Sequence, residues 1–309
     1  MRLIAVFLCV FFVRLCEATV HPLSFSVSET KMIKEVPSKD QDFAFLIPGD
    51  MQTYIYDNEE EYYQDYRRSY FALTWKKGGW DCMRHYEILS NGCIPYFIDL
   101  EKCDSQTMFF LPRELILEAM HLEGVSYPNI DHEKFDKVRY YEILKELLEY
   151  TRIHLTAKSM AQYVLDTIQY SGTGKILYLG HNPDPDYLRC CTLIGFKELL
   201  QDRVVDYPKI GHIYKSYPGN VKELYGKGFT YAQVVDDLPI NRDAIEERIR
   251  NKEFDIVIYG SVHRGLPFHD LVAQVYGQEK ILYFCGEDAH TCPYGGLFHF
   301  FLREFEALK

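Results

Sequence analysis

The chain has only two tryptophans and no surplus of positive charge. Its 34 Lys and Arg stand against 45 Asp and Glu, a formal charge of −11 over 309 residues. That balance excludes a general nucleic-acid binder, which needs a basic face. The apolar run Leu3–Val13 has 11 residues, too few for a spanning helix, which needs ~20. No Asn-x-Ser/Thr sequon occurs, so N-glycosylation of the chain itself is not expected. The nine cysteines include no Cys-x-x-Cys pair and no Cys/His zinc spacing, which excludes the common zinc modules. A Gly-x-Ser-x-Gly elbow and a Gly-x-Gly-x-x-Gly turn are also lacking.

What is present describes a folded protein. Hydrophobic residues make up 47% and charged residues 26%, enough for a core and too apolar for global disorder. The length fits one large or two modest domains. Tyr (25) and Phe (20) are abundant, and their first use is in cores. The run Leu3–Val13 follows Arg2 and precedes Cys16-Glu17-Ala18. It is expected to be a signal-peptide h-region with cleavage after Ala18, which places the product in the secretory pathway or outside the cell. A short membrane anchor is the alternative. Disulfides could form among Cys82, Cys93 and Cys103.

Residues 19–50 read as irregular, punctuated by Pro22, Pro37, Pro48 and Gly49. A strand is predicted at 70–74, a basic glycine turn at 76–79, and a helix from an Asp81 cap to Ser90. Asn91-Gly92 ends that helix, and a strand follows at 93–98. Pro112 opens a helix to Met120, and a helical tract fills 133–169 with a restart at Thr156. Beyond 171 the rhythm changes. Apolar strands at 175–180, 204–206, 255–260 and 280–286 alternate with helices near 185–200, 241–250 (capped by Asn241) and 268–276. That alternation predicts a parallel sheet covered on both faces.

The segment Ser69–Phe97 runs strand, basic glycine turn, helix start, strand. Such a turn offers backbone N–H groups and a helix dipole to an anion. Lys76, Lys77 and Arg84 add positive charge, and Glu87 lies one helical turn beyond Arg84, where a carboxylate can accept from a ribose hydroxyl. An ordinary Arg–Glu pair on a surface helix is the plainer alternative. Three later strands end alike, in a glycine followed by polar residues: Gly180-His181-Asn182, Gly260-Ser261-Val262-His263-Arg264 and Gly286-Glu287-Asp288. The carboxyl ends of parallel strands face one crevice where ligands bind. His181, His263, Arg264, Glu287, Asp288 and His290 are therefore expected to converge, with a His or a carboxylate as general base. Loop caps without chemistry are the alternative. Ser171-Gly172-Thr173-Gly174-Lys175 follows a helix and opens a strand, the reverse of a phosphate-binding loop. In Asp184-Pro185-Asp186 the proline favours a helix cap over a metal site.

Residues 69–97 resemble the donor-binding segment of exostosin-like glycosyltransferases. The resemblance rests on Ser69 with Phe71, Gly78-Gly79, Arg84, Glu87 and the strand Gly92-Cys93-Ile94-Pro95. It implies an α/β protein of two Rossmann-like parallel-sheet lobes, GT-B-like. In that family the donor domain comes last; here it comes first, which implies a permuted domain order, a fragment of a longer array or a divergent domain. The division expected is a signal peptide (1–18), the irregular segment (19–50), a donor-binding-like domain (51–170) and a second Rossmann-like domain (171–309). The resemblance implies a nucleotide sugar, a UDP-sugar by expectation, as co-substrate. Lys76, Lys77, Gly78, Gly79 and Arg84 would meet its diphosphate and Glu87 its ribose. His181, His263, Glu287 and Asp288 would supply catalysis on a glycan or glycoprotein acceptor, with no tightly bound metal. Two other readings stay open. One is a non-catalytic relative that binds glycans or a partner; the other is a hydrolase built on Glu287 and Asp288.

Overall fold

The computed structural model describes residues 19–288 and 297–308. The expected signal segment, His290 and Cys292 lie outside the described residues. In chain order the strands are β1 (Thr19–Pro22), β2 (Gln41–Phe43), β3 (Ser69–Thr74), β4 (Ile94–Phe97), β5 (Val125–Ser126), β6 (Asn129–Ile130), β7 (Lys175–Leu179), β8 (Val204–Tyr207), β9 (Phe254–Tyr259), β10 (Ile281–Cys285) and β11 (His299–Leu302). The helices are α1 (Glu59–Arg68), α2 (Met83–Ser90), α3 (Arg113–Met120), α4 (Lys137–His154), α5 (Ala157–Thr167), α6 (Tyr187–Leu200), α7 (Ile245–Arg250) and α8 (His269–Val275).

Two parallel sheets organise the chain. Six strands in the order β1-β11-β10-β9-β7-β8 form the larger, and β2-β3-β4 the smaller. Strands β5 and β6 make a short antiparallel ribbon. The architecture is mixed α/β with two parallel sheets, as Rossmann-like lobes require. Strand β3 is buried at all six positions, and β9 and β10 are nearly so. Covered faces explain why these strands read as continuous apolar runs rather than alternating ones.

Local chemistry accounts for most element ends. Helix α1 opens on Asn58, whose side chain takes the Glu61 N–H, with three Glu in its first turn and two Arg in its last; both ends complement the helix dipole. Thr156 restarts the helical tract by accepting the Ser159 N–H. The stripe Tyr140, Ile143, Leu144, Leu147, Leu148 and Thr151 seats α4 on the core. Gly92 follows α2 at φ +65°, a backbone that glycine adopts without a Cβ penalty.

Several expectations are corrected. The stretch 19–50 is not wholly irregular, since it supplies β1 and β2. Asp81 does not cap α2; Cys82 stands there without a side-chain bond, and Asp81 takes the Phe25 N–H and the Tyr86 hydroxyl instead. Asn241 bonds the Asp243 N–H, and α7 starts only at Ile245, after Ala244. Cys82, Cys93 and Cys103 are free thiols, as are Cys190 and Cys191. No helix among the described residues is long and apolar enough to cross a membrane.

Candidate functional site

Strands β10, β9 and β7 are neighbours and run parallel, so Gly286, Gly260 and Gly180, which follow them, lie side by side on one sheet edge. Against that edge stands the glycine turn after β3. A cavity of about 580 Å³ lies between them; Gly78, Asp186, Tyr187, His263, Glu287 and Asp288 are among its lining residues.

The strand-end wall is built around His263. Its Nδ1 accepts the Gly286 N–H at 3.4 Å. The proton therefore sits on Nε2, which is 3.5 Å from Asp186 Oδ2 and 3.9 Å from Glu287 Oε1. Asp186 caps α6 through the Arg189 N–H, as its place beside Pro185 predicts. Its other oxygen accepts from the Ser261 hydroxyl at 2.8 Å and from Arg264 Nε at 3.2 Å. Burial alone would raise this carboxyl; His263, the Arg189 N–H and the Arg189 charge hold it well below the usual carboxylate range. With both ring nitrogens engaged, His263 orients the wall rather than abstracting a proton. Glu287, partly exposed to the cavity, is the group with the reach of a general base. His181 is exposed and rests against Gly265, next to Arg264, but is not itself among the residues that line the cavity.

The glycine-turn wall is a buried charge cluster. Arg303, directly after β11, donates through Nη1 to Asp81 O at 2.5 Å and to Glu304 Oε1 at 3.0 Å. Its Nη2 bonds Gly286 O at 2.9 Å and also Asp288. Glu304 Oε1 accepts the Asp81 N–H at 2.6 Å, whereas Glu304 Oε2 and Arg303 Nε have no hydrogen-bond partner among the described residues. The carboxylates approach the turn closely: a Cβ at Gly79 would fall 2.5 Å from Glu304 Oε1, and one at Gly78 2.6 Å from Asp288 Oδ2. The carboxyl that the turn gathers is thus Glu304 of its own chain. Burial, opposed by Arg303 and reinforced by Asp81, pushes the Glu304 carboxyl up to about 7. Lys76 pairs with Glu306, and Lys77 is exposed on the outer side of the turn, toward Gly49.

Arg84 and Glu87 lie behind the cavity, not on its lining. Arg84 Nη2 donates to the Tyr54 hydroxyl at 3.1 Å, and its Nε is buried without a hydrogen-bond partner among the described residues. Glu87 accepts from the Tyr62 hydroxyl at 2.6 Å and from the Thr230 hydroxyl. Burial raises the Glu87 carboxyl; Thr230, Tyr62 and Arg84 oppose that rise. Tyr187 connects the two places. It lines the cavity, and burial followed by the nearby Glu87 charge pushes its hydroxyl up.

Sequence reasoning brought Gly78, His263, Arg264, Glu287 and Asp288 to the site and missed Arg303, Glu304 and Thr230. The first two carried a readable signal, because Phe300-Phe301-Leu302-Arg303-Glu304 repeats the pattern of an apolar strand ending in polar residues. Thr230 carried none; it sits in a loop-rich stretch. No known family model matches the chain, and no curated protein or solved structure matches it either.

Proposed function

We propose that the protein is a glycosyltransferase that moves a sugar from a nucleoside-diphosphate donor to a hydroxyl of a glycan or glycoprotein. The lobes would work as a GT-B pair with the donor lobe first in sequence. One observation carries this reading: a single cavity is walled by the turn after β3 on one side and the carboxyl ends of β9 and β10 on the other. Crevices at such strand ends are where α/β proteins bind ligands.

In this reading Glu287 removes the proton from the acceptor hydroxyl. The oxygen attacks the anomeric carbon, the bond to the diphosphate breaks, and the diphosphate leaves with the electron pair. Arg264, on the cavity lining, and Arg84, from the pocket behind it, offset the charge that develops on it. Glu87 accepts from the ribose, and His263, fixed by Gly286 and Asp186, holds the acceptor side in place. A non-catalytic binding role is the second reading. It is favoured by the occupation of both anion-directed features by the chain's own groups, Glu304 at the turn and Thr230 at Glu87.

Calorimetry with uridine, guanosine and adenosine diphosphates separates the two. The transferase reading expects one of them to bind the wild-type protein. Loss of the Arg84 charge in Arg84→Ala should then weaken binding ~10–150-fold, the worth of one charge-assisted contact. Absence of binding by all three would leave the binding-module reading in its place.

A further inference from the structure

Residues 225–233 of the second lobe reach across to the donor-side lobe and end on Glu87. The Thr230 hydroxyl donates to Glu87 Oε1, and the Thr230 N–H donates to Glu59 Oε1. Tyr63 Oη lies 2.8 Å from Thr230 Oγ1. Lys227 Nζ donates to Tyr56 O at 2.6 Å and to Asp57 Oδ1 at 2.8 Å. The Phe229 ring stacks on Tyr62, centroids 5.5 Å apart. With Glu87 at 6% and Thr230 at 2% exposure, nothing from solvent reaches that carboxylate while Thr230 is seated.

The segment is held under backbone strain. Lys227, Thr230 and Gln233 have positive φ, at 56°, 73° and 53°, while Gly226 and Gly228 adopt theirs without penalty. For a β-branched residue such as Thr230 this is an outlier, sustained only by what surrounds it. Leaving the seat would relieve that strain. Much of the attachment is polar, and the Lys227–Asp57 pair is largely exposed, the kind of contact that contributes little. The same segment carries Tyr225, which lines the cavity beside Tyr187.

We propose that residues 225–233 form a strap that gates the donor site, with the Thr230 hydroxyl standing where a donor ribose hydroxyl would bond Glu87. This rests on the assignment of Glu87 to the ribose. Exchange of one hydroxyl for another keeps the carboxylate satisfied in both states, so seating of the strap and binding of the nucleoside exclude one another. Lifting the strap also moves Tyr225 from the cavity wall and joins the Glu87 pocket to the cavity.

The test is calorimetry of wild type, Thr230→Val and Thr230→Ser with the three nucleoside diphosphates, together with amide hydrogen exchange over 225–233. Thr230→Val removes the competing hydroxyl and keeps the shape; it should tighten nucleotide binding about 10-fold or more. Thr230→Ser keeps the hydroxyl and should bind within about threefold of wild type. Nucleotide should speed exchange of the strap amides in the wild-type protein, a readout that stands even if Thr230→Val does not fold. Equal or weaker binding by Thr230→Val, or slower exchange on adding nucleotide, overturns the strap alone. No binding by wild type or by any variant overturns the donor site and the strap together.

Discussion

The two walls of the cavity use the same residue types to opposite ends. On the glycine-turn wall, Asp81, Arg303 and Glu304 are all buried, and one guanidinium serves Asp81 O, Glu304 and Asp288. On the strand-end wall, Asp186 is buried but multiply bonded, while Glu287 and Arg264 remain partly exposed. The difference lies in how the charges are satisfied. Buried carboxylates with too few cations shift toward their neutral form, as Glu304 does, whereas a carboxylate ringed by donors stays ionised, as Asp186 does. The first wall spends its charges on holding the lobes and the carboxyl-terminal segment together. The second keeps a carboxylate available to a ligand.

Three perturbations sharpen that contrast, from the largest effect on stability to the smallest. Replacing Arg303 with Met removes the cation shared by the buried carboxylates. It should cost ~3–5 kcal/mol of unfolding free energy, as expected when one partner of a buried pair is lost. Urea denaturation measures it, and a loss below about 1 kcal/mol would mean that the cluster is not what holds this wall.

The second concerns pH. Glu304 has its carboxyl raised from 4.5 to about 7 in the folded protein. The folded state therefore binds more protons than the unfolded state between those values. The stability contributed by protonated Glu304 is present below pH 4.5 and falls as pH rises through about 7. Relative to Glu304→Gln, which cannot ionise, the wild-type protein should lose about 3 kcal/mol between pH ~4 and pH ~8. Parallel stability–pH curves for the two proteins would show that folding does not raise the Glu304 carboxyl.

Third, Glu287→Gln should change unfolding free energy by no more than about 0.5 kcal/mol, because its carboxylate is not part of the buried frame. Any transferase activity should fall ~10²–10⁴-fold, the usual worth of a general base. A large loss of stability in Glu287→Gln would erase the distinction between the walls.

Much of the fold was legible because its signals are local. Strands β7, β9 and β10 announce themselves as apolar runs ending in glycine, and Thr156 announces the restart of the helical tract. The errors at Asp81 and Asn241 share one cause. Each has the chemistry of a helix cap, but Asp81 is claimed by Phe25 and Tyr86 from the core side, and Asn241 closes a turn before the helix begins. The site was half legible for the same reason. That Gly286-Glu287-Asp288 and Gly260–Arg264 share an edge follows from parallel strands. That Gly79 faces Glu304 and Gly78 faces Asp288 does not follow from any local pattern.

By itself the sequence determined the α/β class, the order of apolar strands and helices, and the polar residues at the strand ends. Side-chain direction along a strand or helix is set by a period of 2 or 3.6 residues, which the chain writes into every short window. Only the tertiary structure decided which charges neutralise one another. Glu304 reaches the Asp81 N–H across 223 residues of sequence, and Thr230 reaches Glu87 across 143. Burial then fixes what those meetings do to protonation and access, because the cost of an unpaired charge depends on the surrounding dielectric and on partners that no local window contains.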